Sequence, residues 1–96
     1  MPAYILAQLK FTKREAYDRY QSNFYPVFKQ FQARVLIAQE SPTVLEGEWS
    51  CDKVVLLEFP TVEEALRFND SPEYTEIAKD RRAGADGIVL LLKGLG

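Results

Sequence analysis

Glu58 places a carboxylate inside the apolar run Val54-Val55-Leu56-Leu57-Glu58-Phe59, beside the end of an extended segment. Withdrawn from water there, it would hold its proton more tightly and could act as a general base. The plainer use is an ion pair with Lys10, Arg34 or Arg81, the commoner fate of such groups. Arg34 opens another extended segment, where its planar fork suits either a substrate carboxylate or a cross-strand pair with Glu46 or Glu58. Glu58 and Arg34 are therefore the candidate catalytic residues. Trp49, two residues after Gly47, would line a pocket or fill a seam between subunits. Tyr4, Tyr17, Tyr20 and Tyr74 could direct phenols into a cleft between helices and sheet, where flat hydrophobic ligands fit; otherwise they are core aromatics with hydroxyls at the surface. Tyr4, Tyr17, Trp49 and Tyr74 are the candidate substrate-binding residues.

What is missing narrows the chemistry. The 96 residues contain no histidine, which excludes Ser-His-Asp and Cys-His machinery, histidine-ligated metals and histidine-ligated haem. One cysteine, Cys51, allows neither an intrachain disulfide nor a thiolate zinc site, and beside Ser50 and Asp52 it reads as a plain loop thiol rather than an activated nucleophile. No metal and no cofactor are expected. Pro2 raises a separate possibility: if Met1 is removed, a free proline amine at the start of a strand could serve as a base, as in tautomerases. That motif lacks the rest of its context.

With 12 basic and 14 acidic side chains the net charge is -2, and a pI near 5.1 offers no attraction to nucleic acid or anionic lipid. The longest apolar runs, Val54–Leu57 and Ile88–Leu92, are far short of the ~20 residues a membrane helix needs. Met1–Leu9 is apolar but broken by Gln8 and followed by charge, unlike a targeting segment. The lone thiol fits a reducing cytoplasm.

The elements that must position these groups follow from a weak internal repeat. Tyr4–Phe11 leads into Thr12-Lys13-Arg14-Glu15 as Val54–Pro60 leads into Thr61-Val62-Glu63-Glu64, so each half reads as a strand followed by a capping box and a helix. The apolar spacing Ala16, Tyr17, Tyr20, Phe24, Val27, Phe28, Phe31 predicts one helical face, with Pro26 kinking it or dividing it in two near residues 23–26. A second helix starts at Val62, burying Val62, Ala65, Leu66 and Phe68 or Asn69, and stops before Ser71. Ser71-Pro72-Glu73 starts a third, with Tyr74, Ile77, Ala78 and Arg81 on one side and Gly84 and Gly87 to end it; Arg81-Arg82 oppose its dipole. Ala33–Gln39 and Thr43–Trp49 read as extended around Ser41-Pro42, and Ile88–Lys93 as the final strand.

The order β-α-β-β-α-(α)-β is the split β-α-β arrangement of a ferredoxin-like α+β domain, one domain over residues 1–96, with its helices on one face of a four-stranded antiparallel sheet. Val54–Leu57 and Ile88–Leu92 are apolar at consecutive positions, so both faces of these strands seek shelter while the helices cover only one. A second copy packed sheet to sheet is the simplest cover, and a homodimer is expected.

Four segments also resemble a known family: Met1–Gln8, Leu45–Trp49, Leu57–Thr61 and Asp70–Tyr74 are similar, in order and spacing, to the small bacterial proteins called domain of unknown function 1330. The chain departs from that pattern at Gln32-Ala33 and Ala38-Gln39, where glycines are usual, and at Lys13, where an acid is usual. The resemblance implies a dimeric α+β barrel and brings no established activity. The wider superfamily includes cofactor-free monooxygenases, haem proteins and lyases, so fold alone selects no chemistry. The expected function is binding or transforming a small, partly hydrophobic molecule without metal, in a pocket floored by strands and rimmed by Arg34, Glu58 and tyrosines. The alternatives are a non-catalytic homodimeric module and an N-terminal-proline tautomerase-like enzyme.

Overall fold

The computed structural model describes residues 1–95. Its elements are β1 (Ala3–Phe11), α1 (Arg14–Phe28), β2 (Arg34–Glu40), β3 (Lys53–Phe59), α2 (Val62–Asn69), α3 (Pro72–Gly84) and β4 (Ala85–Lys93). The antiparallel sheet has the order β2-β3-β1-β4, so the first strand is central and pairs with both β3 and the last strand.

Strand alternation sorts side chains onto two faces. Ala3, Ile5, Ala7 and Leu9 of β1 and Leu57 and Phe59 of β3 are buried beneath the helices. Their even-numbered neighbours, among them Leu6, Val54, Leu56 and Glu58, lie on the opposite face and are only half-buried. On β4, Ile88, Leu90 and Leu92 pair with Gln8, Leu6 and Tyr4 and continue that open face. Phe68 is the hub of the helix-side core: its ring lies 4.4–6.2 Å, centroid to centroid, from those of Phe24, Phe28, Phe31, Phe59 and Tyr74. Of the other residues expected to be buried on α2, Ala65 is buried and Val62 partly so, whereas Leu66 is exposed.

Several local expectations are corrected. Thr12 does not cap α1. Its amide and that of Lys13 both donate to the Gly84 carbonyl, at 2.9 and 3.1 Å, so the N-cap is Lys13, without a side-chain cap. Only half of the second capping box forms: Thr61 accepts from the Glu64 amide, while the Glu64 carboxylate accepts from the Gln32 amide and Arg67 instead of turning back. α1 runs through Pro26 as one helix, because the missing donor falls two residues from its end and the ladder resumes with Lys29 N–H to Tyr25 O at 3.0 Å. Gly87 does not terminate α3; it lies within β4, which begins directly after Gly84. Thr43–Trp49 forms no strand. β3 is already paired on both edges, Pro42 lacks a donor, and positive φ at Ser41 and Gly47 turns the segment into a loop.

Ser71 joins two helices through one hydroxyl, which accepts from the Tyr74 amide at 3.1 Å and donates to the Phe68 carbonyl at 2.9 Å. Ser71→Ala is expected to lower stability by about 1–2 kcal/mol in denaturant melts, since it strands the Tyr74 amide in a buried position, while the Phe68 carbonyl keeps the Ser71 amide as a donor at 3.2 Å. An unchanged midpoint would show that the junction is held by packing alone.

Candidate functional site

A cavity of about 150 Å³ lies between the sheet and the helices. Ile5, Ala7, Leu9, Val55 and Leu57 form most of its floor, and Tyr17, Tyr20, Phe24 and Phe68 most of its roof. These are the odd positions of the strands, one face of α1 and Phe68 of α2, which is why alternation and helical spacing converge here. Five polar side chains, Gln21, Lys53, Asn69, Tyr74 and Arg81, also line it, and no aspartate or glutamate does.

Lys53 is the first residue of β3 and shares the inward face with Val55 and Leu57, leaving it only 6% exposed. Its ammonium donates to Gln21 Oε1 at 3.2 Å and sits 5.0 Å from the centroid of the Tyr17 ring. Burial pulls its pKa down, partly opposed by Glu40. Glu40 stands opposite Lys53 in the β2–β3 register, but its carboxylate is occupied by Arg14, at 2.9 and 3.1 Å. Arg81 comes from α3, and its Nε is buried without a hydrogen-bond partner among the described residues. The hydroxyls of Tyr20 and Tyr74 are 2.9 Å apart, joined by one hydrogen bond. Burial raises the Tyr17 phenol to about 12 and pushes Tyr20 well above its ordinary value, so both remain protonated hydrogen-bond donors at neutral pH.

The residues expected to act together are divided between the two faces of the sheet. Tyr17 and Tyr74 line the cavity. Arg34, Glu58, Tyr4 and Trp49 do not; the expectation that Arg34 and Glu58 rim this pocket is corrected by the pleat, which turns Glu58 away from Leu57 and Phe59. On the open face Arg34 grips Glu58, with Nε 2.8 Å from Oε1, and Tyr4 donates to the other carboxylate oxygen at 3.3 Å. Trp49 Nε1 donates to Gln8 Oε1 at 3.1 Å, laying the indole over the same face. Pro2 shares an open groove with Arg34 and Glu58, and its carbonyl accepts from the Gly94 amide at 2.8 Å. Cys51 lies partly exposed in the loop before β3. Among the described residues no three His, Cys, Asp or Glu side chains converge as a metal site, and no helix is long and apolar enough to cross a membrane.

The sequence does not single out Lys53 and Gln21 as site residues, and it marks Arg81 as an ion-pair partner, a helix-dipole charge and a neighbour of Tyr74 on one helix side, not as part of a site. Parity carried the missing signal: Lys53 precedes Val55, Leu57 and Phe59 by even steps, which places it on their face.

An antiparallel sheet in this order, with its helices on one face and a second apolar face open, defines a ferredoxin-like α+β protein. The chain belongs to the family described as domain of unknown function (DUF1330), whose model matches residues 2–95. No curated protein matches it significantly in sequence. Among solved structures it is similar to a protein of unknown function from Rhodopseudomonas palustris, at 26% identity and a TM-score of 0.82 over 99% of this chain and 83% of that one. A dimeric ferredoxin-like protein of unknown function from Jannaschia sp. CCS1 aligns at 12% identity and a TM-score of 0.73, over 98% of this chain and 100% of that one. SnoaB, a cofactor-independent oxygenase from Streptomyces nogalater, aligns at 9% identity and a TM-score of 0.71, over 99% and 94% of the two chains. At such identities the last two likenesses are of fold alone.

Proposed function

We propose that the protein binds or transforms a small, partly hydrophobic molecule in the cavity between sheet and helices, and that it does so as a homodimer joined through the open sheet faces. The observation that carries the first part is the cavity itself, a largely apolar chamber of about 150 Å³ lined also by Gln21, Lys53, Asn69, Arg81 and three tyrosines. A cavity of that size is comparable to one that admits benzene, so the guest is about one aromatic ring in size. Tyr17 and Tyr74 would face it, while Arg34, Glu58, Tyr4 and Trp49 would belong to the contact between subunits. The second part rests on the apolar open face and on the dimeric state of similar folds, the Jannaschia protein included. The cofactor-independent oxygenase SnoaB supports the chemistry only as a precedent that this fold can act without a cofactor.

A thermal-shift screen with single-ring aromatic and carboxylate compounds tests the pocket. At a concentration about 100-fold above its Kd, a ligand adds about 2.7 kcal/mol, which raises Tm by at least several degrees in a chain of this size. Flat melting across the panel would favour the rival role, a non-catalytic homodimeric module.

A further inference from the structure

We infer that the cavity selects a small monoanion, a single-ring carboxylate or an equally compact oxyanion, whose charge is met by Lys53 and Arg81 and whose body lies against the aromatic roof. This rests on the pocket reading above and adds the chemical class of the guest.

Two cations enter an apolar chamber whose lining contains no carboxylate. Lys53 is 6% exposed, yet only one of its three protons has an acceptor, Gln21 Oε1, among the described residues. Its nearest acidic neighbour in register, Glu40, is held by Arg14 in a two-pronged pair at 2.9 and 3.1 Å. Arg81 is half-buried, and its Nε is enclosed without a hydrogen-bond partner among the described residues. An uncompensated buried cation is costly, and proteins normally pair it; here the arrangement is complete once an anion occupies the chamber. The phenols reinforce this polarity. One hydroxyl of the Tyr20–Tyr74 pair donates to the other, which leaves the second proton free to donate to a guest oxygen. A neutral guest with an acceptor oxygen could meet some of these donors but would leave the two positive charges uncompensated, and a cation would be repelled.

Benzoate and benzamide have the same ring and nearly the same shape but differ in charge. Calorimetric titration of the wild-type protein is expected to give benzoate about tenfold to a hundredfold tighter binding than benzamide, the range for hydrogen bonds to charged groups. Lys53→Met combined with Arg81→Gln is expected to abolish that preference, bringing the ratio of the two affinities to within about twofold, as loss of the charged contacts requires. Equal binding of the two compounds by the wild type, or a preference that survives the double substitution, would overturn the inference while leaving the pocket intact. Binding of neither would overturn the pocket reading as well. The wild-type comparison needs no variant, so a double variant that fails to fold leaves the test decisive.

Discussion

Leu90→Arg is expected to halve the particle in light scattering, from twice 11.0 kDa to 11.0 kDa, while the circular dichroism of the subunit stays unchanged. Leu90 lies on the open face opposite Leu6, and its side chain is 41% exposed in the subunit. A lone subunit can therefore place the arginine head in water and lay its stem along the sheet. In a face-to-face pair the same charge would be enclosed among Leu6, Leu56, Ile88 and Leu92 and their symmetry mates, with no partner in either copy. Burying an unpaired charge costs on the order of 3–5 kcal/mol, so the dimer constant should weaken at least a hundredfold. If the wild type already ran as a single subunit at every concentration, or if the variant still paired, the open face would not be the interface.

Gly84→Ala is expected to cost about 2–3 kcal/mol in denaturant melts at matched protein concentration. α3 crosses α1 so closely at this residue that a Cβ would overlap the Tyr17 amide and come within 2.8 Å of the Lys13 carbonyl oxygen and 3.0 Å of the Ala16 carbonyl carbon. These are backbone atoms and cannot swing aside as a side chain would, which puts the penalty at the upper end for overpacking. The Gly84 carbonyl also accepts from Thr12 and Lys13, so displacing α3 would loosen the start of α1. A variant as stable as the wild type would mean that the two helices stand further apart than described.

The fold was legible in the chain because two periodicities mark it clearly. The repeat of extended run and Thr-x-x-Glu located both β-α units, and the consecutive apolar residues of Val54–Leu57 and Ile88–Leu92 announced an open face. The division of α1 at Pro26 did not occur because the proline falls in the last turn, and the capping box at Thr12 did not form because the Gly84 carbonyl takes the Thr12 amide that Glu15 would have reached back to, and the Lys13 amide with it. The site was half legible. Tyr17 and Tyr74 were identified by helical spacing, and both reach the cavity. Glu58 and Arg34 attracted notice as charges in apolar surroundings, but one residue of pleat separates Glu58 from the chamber. Lys53 escaped notice because it sits at a strand's first position, where a lysine ordinarily belongs to water.

The central position of β1 also shapes how the molecule is made. Its neighbours in the sheet are the third strand and the last, so the first nine-residue strand to emerge during synthesis must wait for Ala85–Lys93 before its second edge is covered. Until then a sticky ribbon is held open on the nascent chain, and closure depends on contacts distant in sequence, which slow folding. Chaperone demand should therefore track the rate at which the final strand is delivered, and substitutions that weaken β4 should reduce soluble yield in cells before they alter the finished molecule.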